Sequence, residues 1–111
     1  MDELNNIDID LNALKSGKID EYSYLTSLGA QIELMIKLMF GSRGLGALSG
    51  QVRGTKSQVR KFMQALKGEK RYADAYIKHG LSDPKTLNSR YKLERAISAF
   101  EKDTGIKWPL K

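Results

Sequence analysis

From residue 20 onward, apolar positions recur three and four apart, and each run stops at a glycine or a proline. Over residues 20–40, Leu25, Leu28, Ile32, Met35, Ile36 and Met39 keep that spacing, which predicts a helix. Asp20 and Glu21 stand at its start, where the helix dipole favours negative charge. Leu34, Leu38 and Phe40 carry apolar character onto the remaining faces, so burial on more than one side is expected. The flanking segments look too polar to cover such a helix. Leu28, Ile32, Met35, Ile36 and Met39 are therefore the residues expected to form an interface in a homo-oligomer.

Before this helix, Ile7, Ile9 and Leu11 alternate with Asp8 and Asp10. Residues 1–19 read as an acidic extended arm able to add as a strand to a partner's edge or to lie along a groove, with a turn at Lys15-Ser16-Gly17-Lys18. Residues 41–54, GSRGLGALSGQVRG, hold five glycines in fourteen positions and predict a flexible linker. Residues 55–111 read as a basic helical domain of two to four helices. Thr55-Lys56-Ser57-Gln58 has capping-box spacing. The stripe Val59, Phe62, Met63, Leu66 follows, and Ala73, Tyr76 and Ile77 nearly preserve its phase across Gly68 to His79, as one bent helix or two short ones. Gly80 and Gly105 are placed as left-handed helix ends, with Leu81 folding back toward Tyr76 in a Schellman arrangement and Ile106 toward Phe100. Asp83-Pro84 reads as a turn or a short helix start, and a last helix over about residues 89–104 buries Leu93, Ala96, Ile97 and Phe100. No strand is required after residue 12, so the expected class is all-α.

Charge sharpens this division. The chain of 111 residues carries 19 Lys plus Arg against 13 Asp plus Glu. Residues 1–40 hold seven of those acids and only Lys15, Lys18 and Lys37, so the excess of base lies beyond residue 40. Between Arg43 and Arg71 the only acid is Glu69. Arg53, Lys56, Arg60, Lys61, Lys67, Lys70 and Arg71 are the expected contacts to DNA or another polyanion, through counterion release that is indifferent to sequence. The bland reading is a solvated basic face, or one neutralised by the acidic arm. Arg90, Lys92 and Arg95 give the last helix a weaker strip, interleaved with acids.

Catalytic chemistry finds little to work with. The absence of cysteine excludes disulfides, thiolate nucleophiles and Cys-ligated metals. The one histidine, His79, sits in a predicted last helical turn where a cation favours the dipole. His79 with Asp74 and Asp83 gives hard ligands at spacings that match no known metal loop. GLGALSG has one residue too many for a dinucleotide fingerprint, and GQVRGTKS has Thr55 where a P-loop needs glycine. No catalytic residue, metal site or cofactor is expected. Tyr72 and Tyr76 either stack on bases or sit half-buried in the core. Trp108 either latches the C-terminal domain shut or plugs into a partner. The acidic start is unlike a targeting peptide and no run is long enough for a membrane span. Gly80 to Asn88 is longer than the turn of a helix-turn-helix reader, so sequence-specific reading is not indicated.

GTKSQVRKFMQALKGEKR and the stretch from Gly80 to Lys111, ending TGIKWPLK, resemble small proteins of unassigned role encoded by tailed bacteriophages. KSGKIDE and the MFG after the apolar helix extend the resemblance loosely over most of the chain. It implies a setting in host cytoplasm or virion and a protein that works by binding. The sequence thus predicts a non-enzymatic structural or accessory protein that self-assembles and contacts DNA without sequence preference. The alternative is an interaction module occupying an acidic surface on a host or virion protein.

Overall fold

The computed structural model describes residues 7–14, 20–40 and 48–110. It places there two short strands and three long helices: β1 (Ile9–Asp10), α1 (Glu21–Phe40), β2 (Val52–Arg53), α2 (Lys56–His79) and α3 (Pro84–Thr104). The turn expected at Lys15 to Lys18 and residues 41–47 of the expected linker lie outside the described residues. No helix among the described residues is long and apolar enough to cross a membrane.

Each helix starts where a polar side chain meets otherwise unpaired backbone N–H groups. Asp20 accepts from the Ser23 backbone N–H and the Ser23 hydroxyl, both at 2.9 Å. Those bonds, the backbone one first, hold its carboxyl below the ordinary value of 3.8. Thr55 and Gln58 close the expected capping box: the Thr55 Oγ1 accepts from the Gln58 N–H at 3.1 Å, and the Gln58 Oε1 accepts from the Thr55 N–H at 2.9 Å. Asp83 caps α3 by accepting from the Lys85 N–H at 2.8 Å, with Pro84 in the first turn.

One expectation about helix limits changes and one open alternative is resolved. α3 runs unbroken from Pro84, because Thr86 is fully buried and donates to the Ala75 carbonyl at 3.1 Å, fastening the first turn of α3 to α2. α2 is a single helix through Gly68, where α3 crosses so closely that an added Cβ would lie 3.1 Å from the Leu93 Cδ1. The two glycine caps also differ from each other. Gly105, at φ 75° and ψ 7°, is the left-handed end expected, and Ile106 beyond it is buried. Gly80 has positive φ (84°) but ψ 168°, so no Schellman motif forms and Leu81 remains exposed.

The arm supplies the other correction. β1 pairs in parallel with β2, Ile9 opposite Val52 and Asp10 opposite Arg53, a strand beyond residue 12 where a linker was expected. Ile9 donates to the Gln51 carbonyl at 3.1 Å and Leu11 to the Arg53 carbonyl at 2.9 Å. A parallel pair needs a long crossover, and α1 lies between the two strands in sequence. Two residues carry too little alternation to announce a strand, which is why the glycines around them dominated the sequence reading. Ile7, Ile9 and Leu11 turn inward, joining Tyr24, Leu28, Ile32 and Met35 of α1, Leu48, Val52 of β2, Phe62 and Leu66 of α2, and Leu93, Ile97 and Phe100 of α3 in one core. The Tyr24 hydroxyl donates to the Asp10 carbonyl at 2.8 Å, and burial, then the Asp10 charge, pushes its pKa up to about 12. Trp108 closes the core as a latch, 2% exposed, with its ring centroid 5.7 Å from Phe62 and 5.3 Å from Phe100.

A candidate polyanion-binding face

A helix advances 100° per residue, so the cations of α2 sort by number. Lys56, Arg60, Lys67, Arg71 and Lys78 fall within about 60° of one another around the axis and span about 33 Å along it. Gln58, Phe62, Ala65 and Leu66 are the buried residues of α2 and lie on the opposite side. All five cations are exposed, and among the described residues none of them forms an ion pair.

The three other expected contacts stand apart from this stripe. Arg53, on β2, pairs with Asp8 at 2.8 Å, both side chains being well exposed, so this cation is partnered by the acidic arm. Lys61 projects toward α3, 3.7 Å from the Asp103 carboxylate. Lys70 pairs with Asp74 at 3.1 Å and lies 5.0 Å from the centre of the Phe40 ring. Of the seven expected contacts, Lys56, Arg60, Lys67 and Arg71 share this one face, together with Lys78. Extending the four-then-seven spacing of the first four positions reaches Lys78, a signal available in the sequence.

Of the acids on α2 and α3, Asp74 lies in the sector of the stripe, between Arg71 and Lys78, and is paired with Lys70 at 3.1 Å, while the others are engaged elsewhere. Glu69 faces Trp108, whose indole N–H donates to its carboxylate at 2.8 Å, and burial raises its pKa above the ordinary 4.5 despite that bond. Glu101 accepts from the Trp108 backbone N–H, Asp103 from the Ser57 hydroxyl, and Glu94 from Arg90. Five cations thus share the face with one carboxylate, Asp74, whose charge is offset by Lys70.

Beside Gly68 the stripe borders a groove of about 360 Å³ between α2 and α3, lined by Gln64, Lys67, Gly68, Arg71, Ser89, Lys92 and Ala96. Arg90, Lys92 and Arg95 consequently form no single strip. Lys92 turns to the groove, Arg90 bonds Glu94 at 3.2 Å, and Arg95 lies 5.8 Å from the centre of the Tyr91 ring. Lys92 becomes legible only when the helices are docked, because its separation from Lys67 and Arg71 in the chain carries no periodic signal.

The expected assembly residues occupy other places. Leu28, Ile32 and Met35 are at most 1% exposed inside the chain's own core. Ile36 and Met39 are half-buried and pack against that core. The arm and α2 cover a surface the sequence reading left bare, and an interface needing Leu28, Ile32 and Met35 would require opening the fold. Tyr72 is half-buried against the core, while Tyr76 is exposed. His79 is exposed in the last turn of α2. Among the described residues, no three of His, Asp and Glu converge where they could hold a metal ion.

Comparison with protein-family models, curated proteins and solved structures finds no match to this chain.

Proposed function

We propose that this is a non-enzymatic structural or accessory protein, in the tailed-phage setting its sequence resembles, that holds DNA without sequence preference on the outer face of α2. The stripe of Lys56, Arg60, Lys67, Arg71 and Lys78, none of them ion-paired among the described residues, supports this reading. Its length of about 33 Å approaches one turn of duplex DNA. Exposed cations in a row bind phosphates chiefly by displacing condensed counterions, which costs no specificity and needs no pocket. Self-assembly through α1 is not part of the proposal, because its apolar stripe is occupied by the core.

Fluorescence anisotropy with a labelled random-sequence duplex, between about 50 and 300 mM salt, tests it. Five contacts predict a slope of about −4 to −5 in log affinity against log salt. Arg60→Gln should weaken binding about five- to tenfold near 0.1 M salt. Lys61→Gln should change it less than about twofold, since Lys61 lies off the stripe. Equal losses would reject the face, and no binding at the lowest salt would reject the function in favour of an acidic protein partner.

A further inference from the structure

Resting on that reading, we propose that the groove between α2 and α3 is a seat for a backbone phosphate of bound DNA, held by Lys67 and Arg71 from one helix and Lys92 from the other. Four observations converge. The groove is lined by three cations and two neutral polar side chains, Gln64 and Ser89, with no carboxylate among its lining residues. Lys67, Arg71 and Lys92 have no ion-pair partner among the described residues. Its remaining lining residues, Gly68 and Ala96, offer almost no side-chain bulk, leaving about 360 Å³ of space. Finally, the acids nearest in sequence are engaged elsewhere: Glu69 with the Trp108 indole, Glu94 with Arg90, and Asp74 with Lys70.

A phosphodiester suits this arrangement. The Arg71 guanidinium presents a fork of N–H groups to two phosphate oxygens, the two ammonium groups act as point charges, and the Ser89 hydroxyl and Gln64 amide donate neutral hydrogen bonds. The consequence for binding is geometric. A cation stripe on a single helix leaves the duplex free to rotate about that helix, whereas a phosphate held between two helices fixes one direction of approach. Such contacts set orientation and carry no base information.

The test compares full-length wild type with Lys92→Gln, Lys102→Gln and Arg60→Gln, by anisotropy with the random duplex over the same salt range. Helicity is checked by circular dichroism. Lys102 is exposed on α3 outside the groove and controls for the loss of one charge. Lys92→Gln should lower affinity about five- to tenfold near 0.1 M salt and reduce the salt slope by about 0.9, while Lys102→Gln should change affinity less than about twofold. If Lys92→Gln behaves like Lys102→Gln while Arg60→Gln still weakens binding, the seat is wrong and the stripe stands. If wild type does not bind, the seat and the stripe fall together. A parallel titration with inorganic phosphate follows the Gly68 and Ser89 amides by NMR. Saturable shifts there, with duplex affinity unaffected by Lys92→Gln, would assign the groove to free phosphate and overturn the DNA seat.

Discussion

Glu69 is the acid that the basic stretch of the sequence contains, and its placement shows how one side chain can serve both stability and charge. Directed at the Trp108 indole N–H, it satisfies a donor that would otherwise be buried without a partner, and it adds no negative charge to the outer face of α2. The arrangement has a cost in pH. Because burial raises the Glu69 pKa above 4.5, the folded chain holds that proton more tightly than the unfolded chain does. Its contribution to stability is fully present below 4.5 and is lost as pH rises through the raised value. Melting temperatures of wild type and Glu69→Gln measured from pH 4 to 7 should therefore diverge, wild type losing ground as pH increases. Parallel curves would show that the carboxylate ionises as freely in the fold as in the open chain. Asp20 acts in the opposite sense, since its hydrogen bonds to Ser23 favour the anion and are lost as pH falls.

At the scale of elements, the ends of the helices matter more than their middles. Gly80 turns the chain from α2 toward α3 with a backbone conformation, φ 84° and ψ 168°, that is almost confined to glycine. A Cβ at this position would meet nothing within 4 Å, so the cost of Gly80→Ala is backbone strain alone. We expect a loss of about 1–3 kcal/mol in urea denaturation, with no change in helix content of the folded state. A neutral substitution would mean the turn relaxes to another conformation. The three helices, the capping box at Thr55 and the left-handed Gly105 were legible in the sequence, because each rests on neighbours within one or two turns, whereas Asp83-Pro84 read as a turn or a short start and the last helix was expected only from about residue 89. What escaped depended on partners distant in sequence. Ile9 finds Val52 only after α1 has crossed between them, Leu28 and Ile32 lose their exposure only when the arm and α2 arrive, and Lys92 joins Lys67 only across the crossing at Gly68. Of the seven cations read as a site, four lie on one face. The other three were drawn off by Asp8, Asp103 and Asp74, as charge counting along a chain could not reveal.

For the molecule as a whole, the core is continuous from Ile7 to Trp108, yet its parts are joined by contacts of very different range. α2 and α3 meet through the short connection at Gly80 to Asp83, with Phe62, Phe100 and Trp108 packed edge to face at one end. The arm meets β2 only by closing a loop that contains all of α1. Closing that loop loses chain entropy before the paired strands return any stabilisation, so the helical pair should organise early in folding and the arm should dock late. An element that docks late is also the first to leave. Native-state hydrogen exchange should find the Ile9 and Leu11 amides opening at lower free energy than those around Phe62 and Phe100. Equal protection would indicate a single cooperative unit. Each opening of the arm would separate Asp8 from Arg53 and wet the α1 side chains beneath it, Leu28 among them, so the lifetime of the docked arm sets how long that apolar surface stays out of water.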